Sequence, residues 1–154
     1  EGSIKAGEGQ IMSEGSGVRH SEANASQTDP LQLFQVWIFP KVRNIEPRYD
    51  QRAFELTGRD NRWQIVVSPR DEDNALWINQ DARFALTKLD AGQTISYENA
   101  FSGNGVYLVN IRGKARVGEN ILHDRDALGI TDTDSFSITA DEETELLAIE
   151  VPMH

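Results

Sequence analysis

The feature that most limits what this chain can fold into is its lack of helical periodicity. Short runs rich in β-branched and aromatic residues recur at roughly ten-residue intervals, separated by glycine, asparagine and aspartate, a pattern typical of antiparallel sandwiches and barrels. After residue 63 the runs read "WQIVVSP", "ALWINQDARFALTKL", "GQTISYE", "VYLVNIRG", "KARVG", "SFSITA" and "TELLAIEV". About eight strands with hairpin-length turns suffice for a small barrel. We therefore predict an all-β chain with a complete barrel over residues 63–154.

The first part of the chain carries too few strands to close a second barrel. Residues 31–39, "LQLFQVWIF", are apolar on both faces apart from two glutamines, which predicts a strand buried on both sides. The stretch that follows, "PKVRNIEPRYDQRAF", has prolines, many charges and no clear period, which predicts a connection lying over the surface. We place the domain boundary near Gly58, so that residues 1–58 form part of another unit.

The composition excludes several classes of function. The chain has 154 residues, a formal net charge of −10 and no cysteine. A chain with this negative charge does not attract the phosphates of nucleic acid or of anionic lipid. We therefore expect direct binding to neither nucleic acid nor a membrane. The lack of cysteine excludes a disulfide framework, a thiolate nucleophile and a zinc–thiolate site, and it fits a cytoplasmic protein.

One short stretch, "GSGVRHSEAN" over residues 15–24, carries candidate metal ligands. It contains His20, one of three histidines in the chain, and Glu22 two positions later. In a strand these two side chains would face the same way, and imidazole with carboxylate suits a divalent transition metal. Two ligands are too few to hold such a metal well. On spacing alone, a histidine hydrogen-bonded within a strand and a solvated glutamate are the better interpretations.

The surrounding residues carry a resemblance to a known family. They match the second signature motif of the cupin superfamily, except that glycine stands where the motif usually has proline: Gly9-x5-Gly15-x-Gly17-x2-His20-x3-Asn24. The blocks "AGEGQIMSEGSGVRHSE", "LQLFQVWIFP" and "IEPRY", in that order, closely resemble the pirin family, particularly its bacterial pirin-like members. Pirins are bicupins with two β-barrels, of which the N-terminal one carries a 3-His-1-Glu metal site and the C-terminal one has no ligands.

This resemblance implies a metal site of which the chain holds one half. His20 and Glu22 match the last two ligands, whereas the H-x-H pair has no counterpart, because His123 lies beside a turn and His154 at the terminus. We therefore expect that the chain lacks the first part of the N-terminal cupin domain. The implied cofactor is a divalent metal, most often Fe(II), with Ni, Mn, Cu or Zn as alternatives, and we expect it to be weakly bound or absent here.

The resemblance also implies a reaction. Pirin-like proteins are associated with quercetin 2,3-dioxygenase activity, a metal-dependent opening of a flavonol ring by O2, in which Glu22 would accept the proton of the substrate hydroxyl. The implied substrate is a small aromatic compound such as a flavonol, although the chain by itself is expected to be inactive. The alternative is a metal- and redox-sensing partner of transcription factors.

Open strand edges and the apolar residues 31–39 predict a partner that covers them, either a second copy of the chain or a retained N-terminal peptide.

Other residues carry weaker signals. Met12, Gln35 and Trp37 would line a pocket above the metal, but packing within a barrel is the better interpretation. The acidic stretches over residues 71–74 and 132–134 lack the spacing of a calcium loop and predict solvated turns.

Overall fold

The chain is almost entirely β-structure, as predicted. A computed structural model describes residues 2–15 and 17–153, and regular structure in these ranges is strand apart from two 3-10 turns, Leu56–Arg59 and Asp71–Asp73. No helix in the described ranges is long and apolar enough to cross a membrane. The strands are β1 (Glu8–Ser13), β2 (Arg48–Ala53), β3 (Gln64–Ser68), β4 (Leu76–Trp77), β5 (Arg83–Leu89), β6 (Thr94–Glu98), β7 (Asn104–Arg112), β8 (Ala115–Val117), β9 (Asn120–Leu122), β10 (Ala127–Ile130), β11 (Ser135–Ala140) and β12 (Thr144–Pro152).

These strands form three sheets within the described residues. β1 and β2 pair with each other alone, a six-stranded sheet has the order β10-β7-β12-β5-β3-β4, and a four-stranded sheet has the order β6-β11-β8-β9. Every named pair is antiparallel except β3–β4, and β12 lies between β5 and β7. The two larger sheets face each other across one core, which is the cupin barrel expected from the sequence.

The core is built by the alternation along each strand. In β8, Ala115 and Val117 are buried while Arg116 between them is exposed, as a strand with one dry face requires. Both sheets contribute to one buried cluster: Ala85, Leu89, Tyr97, Val106, Leu108, Ala115, Val117, Leu122, Ile138, Ala140, Leu146 and Ala148. Burial of these apolar side chains from two facing layers holds the barrel together.

The barrel region has more strands than the sequence predicts. Ten strands lie between residues 64 and 152, against about eight expected. The two that were missed, β9 and β10, flank the charged turn "HDRD" in "NILHDRDALGI". Neither shows a polar–apolar alternation, because β9 reads Asn-Ile-Leu and β10 reads Ala-Leu-Gly-Ile.

Residues 31–39, called the apolar segment below, do not form the predicted buried strand. The structure assigns them no strand, and Trp37 and Phe39 are 85% and 91% exposed. A strand that is apolar on both faces needs a hydrogen-bonding neighbour and cover on both sides. Among the described residues, its one hydrogen bond is at its end, where Gln80 Nε2 donates to the carbonyl of Phe39.

The predicted surface connection contains a strand instead. Residues 48–53 form β2, which pairs along its whole length with β1. Its inward positions are charged: the Arg48 guanidinium lies 5.1 Å from the Trp77 ring centroid, and Arg52 donates to the side-chain oxygen of Asn74 at 2.8 Å. Because polar residues occupy both faces of β2, no apolar alternation marks it in the sequence.

Candidate metal centre

The β1–β2 hairpin presents one face to the barrel and one to the outside. Ile11 packs with the buried cluster Val66, Val67 and Leu76, so the positions that alternate with Ile11 point away from the barrel. The outward positions of the two strands are opposed in the register and are mostly polar: Glu8, Gln10, Met12, Tyr49, Gln51 and Ala53. We call this the polar face. Motif residues 17–24 follow β1 in the chain, and Glu22 among them contacts Gln10 of that strand.

The polar side chains of this face form one row of contacts, which are hydrogen bonds except between Tyr49 and Gln10. Gln51 Nε2 donates to Glu8 Oε2 at 2.8 Å, and the Tyr49 hydroxyl donates to Gln51 Oε1 at 2.7 Å. The same hydroxyl lies 3.4 Å from Gln10 Oε1, and Gln10 Nε2 donates to Glu22 Oε1 at 2.7 Å. The row therefore connects two carboxylates, Glu8 at one end and Glu22 at the other.

Glu8 is held in its ionised form. The backbone N–H of Lys5, 2.9 Å from Glu8 Oε2, lowers the pKa of this carboxyl from its ordinary value, and the Gln51 side chain adds to the effect. Hydrogen bonds to the charged form of a carboxylate favour that form. Neither Glu8 nor the glutamine–tyrosine row was identified from the sequence.

The two candidate ligands lie on an exposed loop rather than on the predicted strand. Residues 17–24 have no strand assignment, and both His20 and Glu22 are exposed. The period-2 argument for a shared direction therefore does not apply to them. Gly15 turns the chain between β1 and this loop, since it has φ of +52° and a Cβ at this position would overlap the carbonyl oxygen of Ile45. Proline, with φ fixed near about −65°, is incompatible with that conformation.

The last motif residue, Asn24, organises the turn that follows. Its side-chain nitrogen donates to the carbonyl of Asp29 at 2.8 Å, and its side-chain oxygen accepts from the Ser26 backbone at 3.0 Å. These bonds close a compact turn within residues 24–29 and fix the chain direction after Glu22.

The donor types at this site fit a divalent transition metal, but their number does not complete its coordination. An imidazole and a carboxylate are common ligands of such ions, which take four to six donors. No group of three or more His, Cys, Asp or Glu side chains within residues 2–15 and 17–153 is placed to hold a metal. Water or donors outside these ranges would have to fill the other positions.

The other sequence signals do not converge on this site. Trp37 and Gln35 are exposed and Met12 is half-buried, so neither a pocket above the metal nor packing within a barrel describes all three. Residues 71–73 form a 3-10 turn, His123 is exposed as expected, and His154 lies outside the described residues.

The barrel interior holds a polar site of a different kind, centred on Glu150. This side chain is completely buried and accepts bonds from the Tyr97 hydroxyl at 2.9 Å and from the backbone N–H groups of Ala100 and Phe101 at 3.0 and 2.9 Å. The Arg83 Nε lies 3.5 Å from the same carboxylate. Burial raises the pKa of Tyr97 far above its ordinary value, against the opposing effect of Arg83. With its oxygens saturated by protein donors, Glu150 is a structural anchor for the β6–β7 loop.

Comparison with known proteins finds two family matches and several similar proteins. Residues 1–38 match the family described as Pirin, and residues 65–151 match the family described as Quercetinase C-terminal cupin domain. Quercetin 2,3-dioxygenase of Escherichia coli K12 is 37% identical over 97% of this chain and 63% of its own length. The crystal structure of YhhW from Escherichia coli has a TM-score of 0.89 at 34% identity, covering 98% of this chain and 63% of that one. The nickel(II) complex of bacterial pirin YhhW has a TM-score of 0.88 at 34% identity, covering 97% and 63%. The chain thus spans 63% of the length of these relatives.

Proposed function

The chain belongs to the pirin family, and from that premise we propose that His20 and Glu22 are ligands in a divalent-metal site that acts on an aromatic substrate such as a flavonol. The observation that carries the proposal is the hydrogen bond that ties Glu22 to Gln10 of the polar face, two positions after the exposed His20. Support comes from a relative named quercetin 2,3-dioxygenase and from the nickel(II) complex of bacterial pirin YhhW.

The proposed reaction is oxidative ring opening of a flavonol by O2. The bound metal, which we propose to be Fe(II) with Ni, Mn, Cu or Zn as alternatives, would supply a Lewis-acid or redox centre for the substrate oxygens. The His20 imidazole would serve as a neutral nitrogen ligand. The Glu22 carboxylate would serve as an oxygen ligand and as the base that accepts the proton of the substrate hydroxyl.

The two parts of the chain would have different roles in the proposed function. We propose that residues 1–58 carry the metal ligands, and that residues 63–154 form a barrel without a metal. The interior of that barrel supports this role, since its buried carboxylate, Glu150, is already saturated by protein donors. The proposal also places the protein in the cytoplasm, in keeping with a sequence that has no cysteine.

With two candidate ligands among the described residues, we propose that this chain alone binds metal weakly and does not turn over flavonol. Affinity depends on ligand number and on the groups that hold the ligands in place. Where the ligand set is complete, the site would carry the ring-opening activity.

Calorimetric titration with Ni(II) tests the site. We expect measurable binding by the unmodified chain that falls below detection in both His20→Ala and Glu22→Gln, while the distant His123→Ala variant binds as the unmodified chain does. Binding that survives in both ligand variants would overturn the assignment. An assay of quercetin consumption with added Fe(II), using the Escherichia coli relative as positive control, should show no turnover by this chain.

A further inference from the structure

We propose that Gln10 is a positioning residue for Glu22, holding one carboxylate oxygen so that the other is presented to the metal. Gln10 Nε2 lies 2.7 Å from Glu22 Oε1, and the second oxygen, Oε2, has no partner among the described residues. A carboxylate restrained at one oxygen is prepared to bind a metal through the other. This inference rests on the proposed function, because it assigns a partner to one of its ligands.

The orientation of the Gln10 amide is set by Glu22. An amide has one donor end and one acceptor end, and a carboxylate oxygen accepts, so the end of Gln10 that lies 2.7 Å from Glu22 Oε1 is its donor, Nε2. The other end, Gln10 Oε1, lies 3.4 Å from the Tyr49 hydroxyl oxygen, whose proton goes to Gln51 Oε1. Gln51 is oriented by its own partners, because its nitrogen donates to both Glu8 and the Ser3 carbonyl.

The strand that carries Gln10 is well suited to restraining Glu22. Gln10 lies in the middle of β1, paired with Gln51 of β2, whereas Glu22 lies on an exposed loop without a strand assignment. The hydrogen bond thus ties a loop carboxylate to a paired strand. Sites whose ligands are restrained by groups on regular elements are more accurately positioned than sites on loops alone.

The contact has a consequence that can be measured without metal. In a heteronuclear NMR spectrum, the side-chain amide resonances of Gln10 are identified by their loss in Gln10→Met, which keeps the side-chain length and removes the amide. We expect these resonances to shift in Glu22→Gln and to remain in place in Gln93→Met, an exposed glutamine far along the chain. Unchanged Gln10 resonances in Glu22→Gln would overturn the inference.

The functional consequence is measured with Ni(II) as the probe. Loss of an outer hydrogen bond to a metal ligand weakens affinity by about 10- to 100-fold, and the exposure of Glu22 places the expected effect of Gln10→Met near tenfold. Gln93→Met should bind as the unmodified chain does. Equal affinity in Gln10→Met and the unmodified chain would overturn the positioning role and leave the proposed function intact. If the unmodified chain fails to bind Ni(II), the proposed function fails, and the positioning role with it.

Discussion

The Tyr97 hydroxyl donates to the Glu150 carboxylate at 2.9 Å, and both side chains are sealed from solvent, at 1% and 0% exposure. The Tyr97 ring is also packed edge-on against Trp63 and stacked with Phe136, at centroid distances of 5.1 and 5.6 Å. The buried Glu150 carboxylate and the aromatic rings of Trp63 and Phe136 therefore contact the same side chain, Tyr97.

We expect Glu150→Gln to destabilise the protein strongly. The variant removes a charge that faces Arg83 and replaces one acceptor oxygen by a donor, which leaves buried N–H groups without a partner. Breaking a buried, hydrogen-bonded charge pair typically costs about 3–5 kcal/mol of the free energy of unfolding. Urea denaturation measures this loss. Glu119→Gln, in the exposed turn between β8 and β9, should change the stability by less than about 0.5 kcal/mol.

The Tyr97→Phe variant should be less stable than the unmodified protein at neutral pH. It should also lose less stability than the unmodified protein when the pH becomes alkaline. The missing hydroxyl bond costs about 1–2 kcal/mol. Since burial raises the pKa of Tyr97 above the unfolded value of about 10, the unfolded chain releases this proton first as the pH rises. The stability of the unmodified protein should therefore fall above about pH 10, and the gap to Tyr97→Phe should narrow between about pH 10 and 12. A gap that stays constant over this range would contradict the account.

Gly15→Ala should open the β1–β2 hairpin, whereas Gly92→Ala should cost less. Both glycines have positive φ, but only at Gly15 does a Cβ meet backbone, whereas Gly92 faces open space. The left-handed conformation alone costs a non-glycine residue roughly 1–2 kcal/mol, and the overlap with Ile45 adds to it. Hydrogen exchange over residues 8–13 and 48–53 measures the effect. Equal protection of the hairpin in both variants would argue against the close approach at Gly15.

The apolar segment should make the purified chain self-associate. Its side chains Leu31, Leu33, Phe34, Trp37 and Phe39 are each more than half exposed. Contiguous exposed apolar surface of this kind is normally covered, and in a purified sample the available cover is another copy of the chain. Light scattering should show a mass that rises with concentration and falls in Trp37→Ser. Ile121→Ser, which removes an isolated exposed side chain on β9, should leave the mass unchanged.

The fold was largely predictable because the barrel strands carry a strong alternation. β8 shows it plainly, and the same rule places Glu150 on the inward side of β12 with Leu146 and Ala148. β2 was missed because its inward residues are held by a cation–π contact and hydrogen bonds rather than by apolar burial. The apolar segment was wrongly predicted to be a buried strand. Its composition shows only that its side chains favour burial, whereas a strand of this kind also needs neighbouring strands to pair with.

The candidate site was predictable only in its motif residues. His20 and Glu22 follow from a local spacing and a family resemblance, and their roles as ligands stay a prediction. Gln10 is important through its pairing with Gln51 and its contact with Glu22, both of which depend on the register of β1 with β2 and on the path of a loop. Such relations join residues distant in sequence and leave no periodic signal.

The position of β12 has a consequence for the order in which the sheet can form. Thr144–Pro152 follows both β5 and β7 in the chain, yet it pairs with both of them at the centre of the six-stranded sheet. During synthesis, β5 and β7 therefore each keep one unpaired edge until β12 emerges, and unpaired edges are the parts of a nascent chain most prone to aggregate. The six-stranded sheet cannot be completed before this strand has left the ribosome.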